Sequence, residues 1–255
     1  NAMLRHADRA SFVAAVLADI PPTPPYFARM KRINKEGPPQ IDPARKLPAL
    51  RPAAAAALAA DGALILDLRR AAAFADGHPD GAINIGHGTK VGYWAGWVVP
   101  ADAPLLLLAD EAAEAQDAAL QLHRVGLDRI EGTIAGGFDA WVGAGLSTAR
   151  IGQMPAAELR DRLARGGLTL VDVRTPGEWQ NGHVDGAINM PVGEIPVRAA
   201  ELPRDGTIAT ICEGGYRSSL AASLFAHEGF QEVTNVVGGM AALRPINEVT
   251  AHDKS

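Results

Sequence analysis

Short apolar runs alternate with stretches of helical spacing through most of the chain. Residues 168–173, 188–192, 207–212 and 232–237 are β-rich runs of strand length. Residues 155–164 carry apolar side chains at helical spacing. Residues 218–227 place Leu220, Ala221, Leu224 and Phe225 on one helical face, and Gly229 suits the stop. Upstream, residues 63–68, 83–85 and 104–109 repeat the strand signal, and 111–125 the helix signal. Strands that are apolar on both faces and separated by helices predict an α/β fold, with parallel sheets covered by helices on both sides. Ligands of such sheets bind beyond the carboxyl ends of the strands.

The pattern is duplicated. Asp67-Leu68-Arg69 returns as Asp172-Val173-Arg174 at a shift of 105 residues, and GHPDGAIN over 77–84 returns as GHVDGAIN over 182–189 at the same shift. Gly136-Gly137 returns as Gly238-Gly239 at a shift of 102. A period this long excludes a solenoid and predicts two homologous domains, residues 51–148 and 149–250. Residues 1–50 match neither copy. Residues 11–17 read as a short helix, but PPTPP over 21–25 and GPP over 37–39 break regular structure, so an arm or linker is expected.

Composition narrows the function classes. The chain has 255 residues, 47% apolar and 21% charged, as a packed globular protein does, with a net charge of −5. No basic stripe with interleaved aromatics appears, which argues against nucleic acid; Lys31-Arg32-Ile33-Asn34-Lys35 is a short solvated face. No apolar run reaches the roughly 20 residues that cross a bilayer, so no membrane partner is expected. The first residues lack the basic region, apolar core and small-residue cleavage site of a secretory signal, so none is expected. Asn1-Ala2 ahead of Met3 reads as a tag remnant, so the natural protein is expected to begin elsewhere. One cysteine excludes an internal disulfide and any Cys-x-x-Cys site, which predicts a reducing, cytoplasmic setting with no metal or cofactor.

That cysteine is the candidate for chemistry. Cys212 opens CEGGYRS at the end of a strand run, just before a helix. Backbone N–H groups converge there and favour a thiolate. The plain alternative is a core cysteine packing as a small hydrophobe, but Glu213, Gly214, Gly215 and Arg217 beside it argue against apolar burial. The amides of residues 213–218 are expected to turn inward, with Gly214 and Gly215 supplying the unusual φ angles of a tight turn. Arg217 offers a cationic fork for an oxyanion, with a surface salt bridge as its structural alternative. Ser218 caps the helix, Tyr216 shapes the mouth, and Glu213 weighs against a dianionic donor. In the first copy the corresponding stretch reads ADEAAEA over 109–115. Counting from the double glycine aligns Asp110 with Cys212; counting from Gly126 and Gly229 aligns Ala109. Either way thiol, glycines and arginine are missing and three carboxylates stand in their place, so this copy is expected to be catalytically silent.

The second copy resembles the rhodanese (sulfurtransferase) family through VDVRTPGEWQNGHVDGAINMP over 171–191, CEGGYRS over 212–218 and NVVGGM over 235–240. The first copy matches through LDLRRAAAFADGHPDGAINI over 66–85 and AGGFDAW over 135–141. Leu243 replaces the family's usual tryptophan, which the first copy keeps as Trp141. Residues 19–39 are similar to the connector after the metallo-β-lactamase domain in fusions that resemble persulfide dioxygenases. The His-x-His-x-Asp-His metal run of those fusions is absent, so their oxidation chemistry is not carried over.

The resemblance implies two rhodanese-like domains and a double displacement at Cys212. The thiolate takes a sulfane sulfur from thiosulfate or glutathione persulfide, and a thiol, cyanide or a protein acceptor removes it. Asp172, Arg174 and His183 recur in the silent copy as Asp67, Arg69 and His78, so they are expected to hold the fold. A cysteine phosphatase is the nearest rival enzyme, but it generally has five residues between cysteine and arginine, against four between Cys212 and Arg217. A sulfur-relay or protein-binding module is the alternative of a different class.

Overall fold

The computed structural model describes residues 8–18, 23–42 and 46–244. Two five-stranded parallel sheets, one per copy, have the same order. In the first, Ala49–Leu50, Ile130–Ile134, Leu105–Leu108, Leu64–Asp67 and Ile83–Asn84 lie side by side. In the second the order is Gly152–Pro155, Val233–Val237, Thr207–Ile211, Leu168–Asp172 and Ile188–Asn189. The expected α/β architecture is present, with helices packed on the sheets. Leu105–Leu108 is buried at every position, as a central parallel strand must be.

The departures lie mostly at edges. The run over 188–192 pairs only through Asn189 before Met190 N–H closes on the Asp172 carbonyl, because Pro191 has no N–H to continue the ladder. Pro155, expected to begin a helix, ends the edge strand Gly152–Pro155; a 3₁₀ turn and the helix Leu159–Arg165 follow. In the arm, the expected short helix spans Arg9–Ala18. The proline runs do not keep the rest irregular: they flank the helix Tyr26–Glu36. That helix docks on the first copy. A Cβ on Gly96 would meet the Tyr26 ring at 2.5 Å, and Arg29 Nη2 donates to the Val125 carbonyl at 2.7 Å. No described helix is long and apolar enough to cross a membrane.

One element joins the copies. The helix Tyr216–His227 was expected to bury one face, yet residues 218–225 are all buried. Its second face meets the first copy, which explains the serines there. Ser219 Oγ donates to Asn84 Oδ1 at 2.7 Å, and Asn84 N–H donates to Ser223 Oγ at 2.9 Å. Tyr216 Oη donates to the Gly86 carbonyl at 3.1 Å. Buried polar groups paired across an interface fix its register, since a slip leaves each one unsatisfied. The helix whose N-terminus carries the Cys212 loop is therefore held by both copies.

Candidate active site

Cys212 is the first residue beyond Thr207–Ile211, at the carboxyl end of a central strand. The turn that follows reaches helix Tyr216–His227 through Gly215, whose φ of +103° favours glycine. Gly215 N–H donates to Cys212 Sγ at 3.1 Å. The thiol donates to Ser218 Oγ at 3.4 Å, and Ser218 Oγ donates to the Gly215 carbonyl at 3.2 Å. A backbone dipole and a helix N-terminus thus face the sulfur, an arrangement that stabilises negative charge on it.

Four expectations need correction. Ser218 does not cap the helix: Gly215 is the N-cap, no side chain caps it, and the Ser218 hydroxyl is engaged with Cys212 Sγ and the Gly215 carbonyl. Cys212 is only 1% exposed and belongs to the apolar core cluster, although burial was argued against from its polar neighbours. Of those neighbours only Glu213 turns away, to Arg244, while the cysteine shares the lining of a cavity of about 620 Å³ with Gly214 and Arg217. Gly214 has no positive φ, and a Cβ there would meet nothing within 4 Å, so Gly215 alone of the pair is required by the turn. Glu213 does not line the cavity. Arg244 holds its carboxylate at 2.5 and 2.6 Å and depresses its pKa, which removes the expected penalty on a dianion.

Arg217 and Tyr216 do line the cavity, together with Gly214 and Glu178. The Arg217 fork is already occupied: both terminal nitrogens donate to the Glu178 carboxylate at 2.7 Å each. Glu178 also closes a capping box with Thr175, which tethers the Pro176–Gln180 helix. The Arg217 guanidinium lowers the Glu178 pKa to about 2. Burial pushes the Tyr216 hydroxyl up to about 12, so it stays a donor to Gly86. The depressed Glu178 pKa stabilises the fold fully above its unfolded value of 4.5, and the gain fades as pH falls toward 2. Glu178→Gln is therefore expected to cost about 1 kcal/mol at pH 7, a figure discounted for the exposure of this carboxylate. The gap in urea unfolding midpoints should shrink between pH 7 and pH 3.5; a widening gap would contradict the pair's role.

The scaffold around the loop includes a second contact that the sequence did not flag. Met240 N–H donates to the Cys212 carbonyl at 2.8 Å and Ala241 N–H to the Glu213 carbonyl at 3.0 Å. Gly239, at φ +57°, lies directly against those carbonyls. The double glycine was legible only as a repeat marker. Asp172 and Arg174 form a buried bidentate pair, with Arg174 Nη2 also bonded to the Gly182 carbonyl at 2.8 Å. Asp67, Arg69 and Gly77 repeat that arrangement in the first copy. His183 stacks on Trp179 at 3.6 Å and His78 on Phe74 at 3.7 Å.

Strand register fixes the counterpart of Cys212. Asp172 pairs with Ile211 and Asp67 with Leu108, so Ala109 occupies the cysteine's position. A cavity of about 520 Å³ remains there, walled by Asp110, Glu111 and Asp139. Glu114 is not part of that lining and lies 3.7 Å from His87. Among the described residues no group of three or more His, Cys, Asp or Glu could hold a metal ion.

A family model for the rhodanese-like domain matches residues 51–144 and again residues 155–244. The chain belongs to the rhodanese-like domain family. A sulfurtransferase of Allochromatium vinosum is 33% identical over 93 residues, covering 36% of this rhodanese and 87% of that protein. The thiosulfate sulfurtransferase PspE of Escherichia coli is 36% identical over 70 residues, 27% of this chain and 67% of its own. The Bacillus subtilis protein YrkF, named as a sulfur carrier, is 41% identical over 73 residues, 29% of this chain and 40% of YrkF. The rhodanese thus spans less than half of YrkF. Among solved structures, a rhodanese-related protein from Thermoplasma volcanium is 28% identical with a TM-score of 0.37, covering 40% of this chain and 99% of that one.

Proposed function

We propose that the protein is a sulfurtransferase that moves a sulfane sulfur from thiosulfate or a low-molecular-weight persulfide to a thiophilic acceptor through a Cys212 persulfide. The observation that carries this reading is the Cys212 sulfur on a cavity wall, with the Gly215 N–H aimed at it from 3.1 Å. In the first half-reaction the thiolate attacks the outer sulfur of thiosulfate. The sulfur–sulfur bond breaks, sulfite leaves with its electron pair, and Cys212 keeps the outer sulfur. The acceptor then attacks that sulfur and restores the thiolate, a ping-pong cycle. The first copy, with Ala109 at the equivalent position, has no nucleophile for this step and is catalytically silent. Relatives named as thiosulfate sulfurtransferases support the donor class. The near-complete burial of Cys212 favours small donors over direct approach by a folded partner.

Intact mass spectrometry after thiosulfate or glutathione persulfide treatment tests the proposal. One added sulfur is expected on the wild type and none on Cys212→Ala. Phosphate release from an ester, lost in Cys212→Ser and without any sulfur uptake, would overturn it in favour of a phosphatase.

A further inference from the structure

The cavity over Cys212 is not built by the catalytic domain alone. Gly88, Thr89, Lys90 and Trp94 of the silent copy form its other wall. Tyr216 pins that wall to the catalytic loop through the Gly86 carbonyl.

The charge balance of this lining is informative. Its charged side chains are Lys90, Glu178 and Arg217. Glu178 and Arg217 neutralise each other through two hydrogen bonds of 2.7 Å. Lys90 is exposed, and among the described residues its ammonium has no ion pair or hydrogen bond. It also sits at the N-cap of helix Val91–Val98, which no side chain caps, so the positive helix end adds to its charge. Trp94, one turn further on, offers a flat apolar surface, and its buried indole N–H has no hydrogen-bond partner among the described residues. A volume of about 620 Å³ matches organic ligands, whereas a small inorganic anion leaves most of it empty.

We propose that Lys90, carried on the silent copy, selects an organic hydropersulfide bearing a carboxylate as the sulfur donor. The proposal rests on the sulfur-transfer reading above. The donor's carboxylate pairs with Lys90 and its chain lies along Trp94, which presents the outer sulfur of R–S–S–H to Cys212. The Cys212 thiolate bonds to that sulfur and the sulfur–sulfur bond of the donor breaks. R–S⁻ leaves with the electron pair, and the outer sulfur keeps its proton on the new Cys212 persulfide. No external oxidant or reductant enters. The silent copy is then a recognition wall for a site whose nucleophile lies on the other copy.

The test compares glutathione persulfide with the persulfide of glutathione dimethyl ester, which lacks both carboxylates. Steady-state kinetics with cyanide as acceptor are measured on the full chain for wild type, Lys90→Ala and Lys90→Arg. For the acid donor Lys90→Ala is expected to raise KM about fivefold, the size of one partly solvated ion pair. Its kcat should stay within about twofold, and Lys90→Arg should keep most of the affinity. For the ester, wild type and Lys90→Ala should share one KM. Added salt should raise the wild-type KM for the acid donor and leave that of Lys90→Ala unmoved. An equal KM rise for both donors, or none for either, overturns the assignment of Lys90 and leaves sulfur transfer standing. Failure of every donor, thiosulfate included, to add sulfur to Cys212 overturns the sulfur-transfer reading and this proposal together.

Discussion

Cys212→Ser is expected to lower the kcat/KM of sulfur transfer by a factor on the order of 10³ or more, the scale on which removal of a covalent nucleophile acts. A serine hydroxyl fits the same space and can still accept the Gly215 N–H, so the loop has no reason to rearrange. What disappears is the polarisable anion. Sulfur is a far better nucleophile than oxygen toward divalent sulfur, and a serine hydroxyl here would have no neighbouring base to activate it. Among the described residues the sulfur bonds only to Gly215 N–H and Ser218 Oγ. Neither group can take a proton from serine. Thiocyanate production and intact mass measure the two halves of the cycle separately. Turnover of Cys212→Ser within about tenfold of wild type would place the nucleophile elsewhere.

The sequence was most legible where local and tertiary forces agree. Residues 168–173 and 207–212 read as strands because central parallel strands are apolar on both faces, and the structure has Leu168–Asp172 and Thr207–Ile211 there. Gly152–Pro155 carries no such signal: it pairs on one side only and three of its four residues are exposed. The cysteine loop was legible through its glycines and its place before a helix. The charges around it were not. Thr175-x-x-Glu178 is a visible capping signature, but nothing local says that its carboxylate also locks Arg217, 39 residues on. Glu213 likewise looked like a cost to an anionic donor until Arg244, 31 residues away, was seen to hold it. Ser219 and Ser223 of helix Tyr216–His227 carried no signal in the sequence, because their partner, Asn84, lies in the other copy. Such pairings come from chain topology, which residue types and spacing do not encode.

Gly239→Ala is expected to be nearly as damaging as loss of the thiol, though it removes no reacting atom. A Cβ at this position drives into the Cys212 carbonyl oxygen and also meets the Glu213 carbonyl oxygen at 2.9 Å. Both carbonyls accept the helix amides of Met240 and Ala241, so neither can retreat without breaking a hydrogen bond. The strand end must shift instead, and Cys212 moves with it, away from the Gly215 N–H. Misplacing a nucleophile by about 1 Å can cost on the order of 10²-fold in rate, and the clash adds about 2 kcal/mol or more of instability. Gly137→Ala provides the internal comparison. Gly137 has nearly the same backbone, φ +61°, yet its Cβ would meet the Ala109 carbonyl oxygen at 3.5 Å, an ordinary contact. That variant is expected to lose about 1 kcal/mol from the left-handed backbone, while the distant Cys212 loop keeps its activity. Thermal unfolding and kcat/KM should therefore separate the pair, with both quantities falling in Gly239→Ala and stability alone in Gly137→Ala. Equal losses of activity in the two would show that the close approach of Gly239 does not position the cysteine, and that the double glycine serves only each domain's folding.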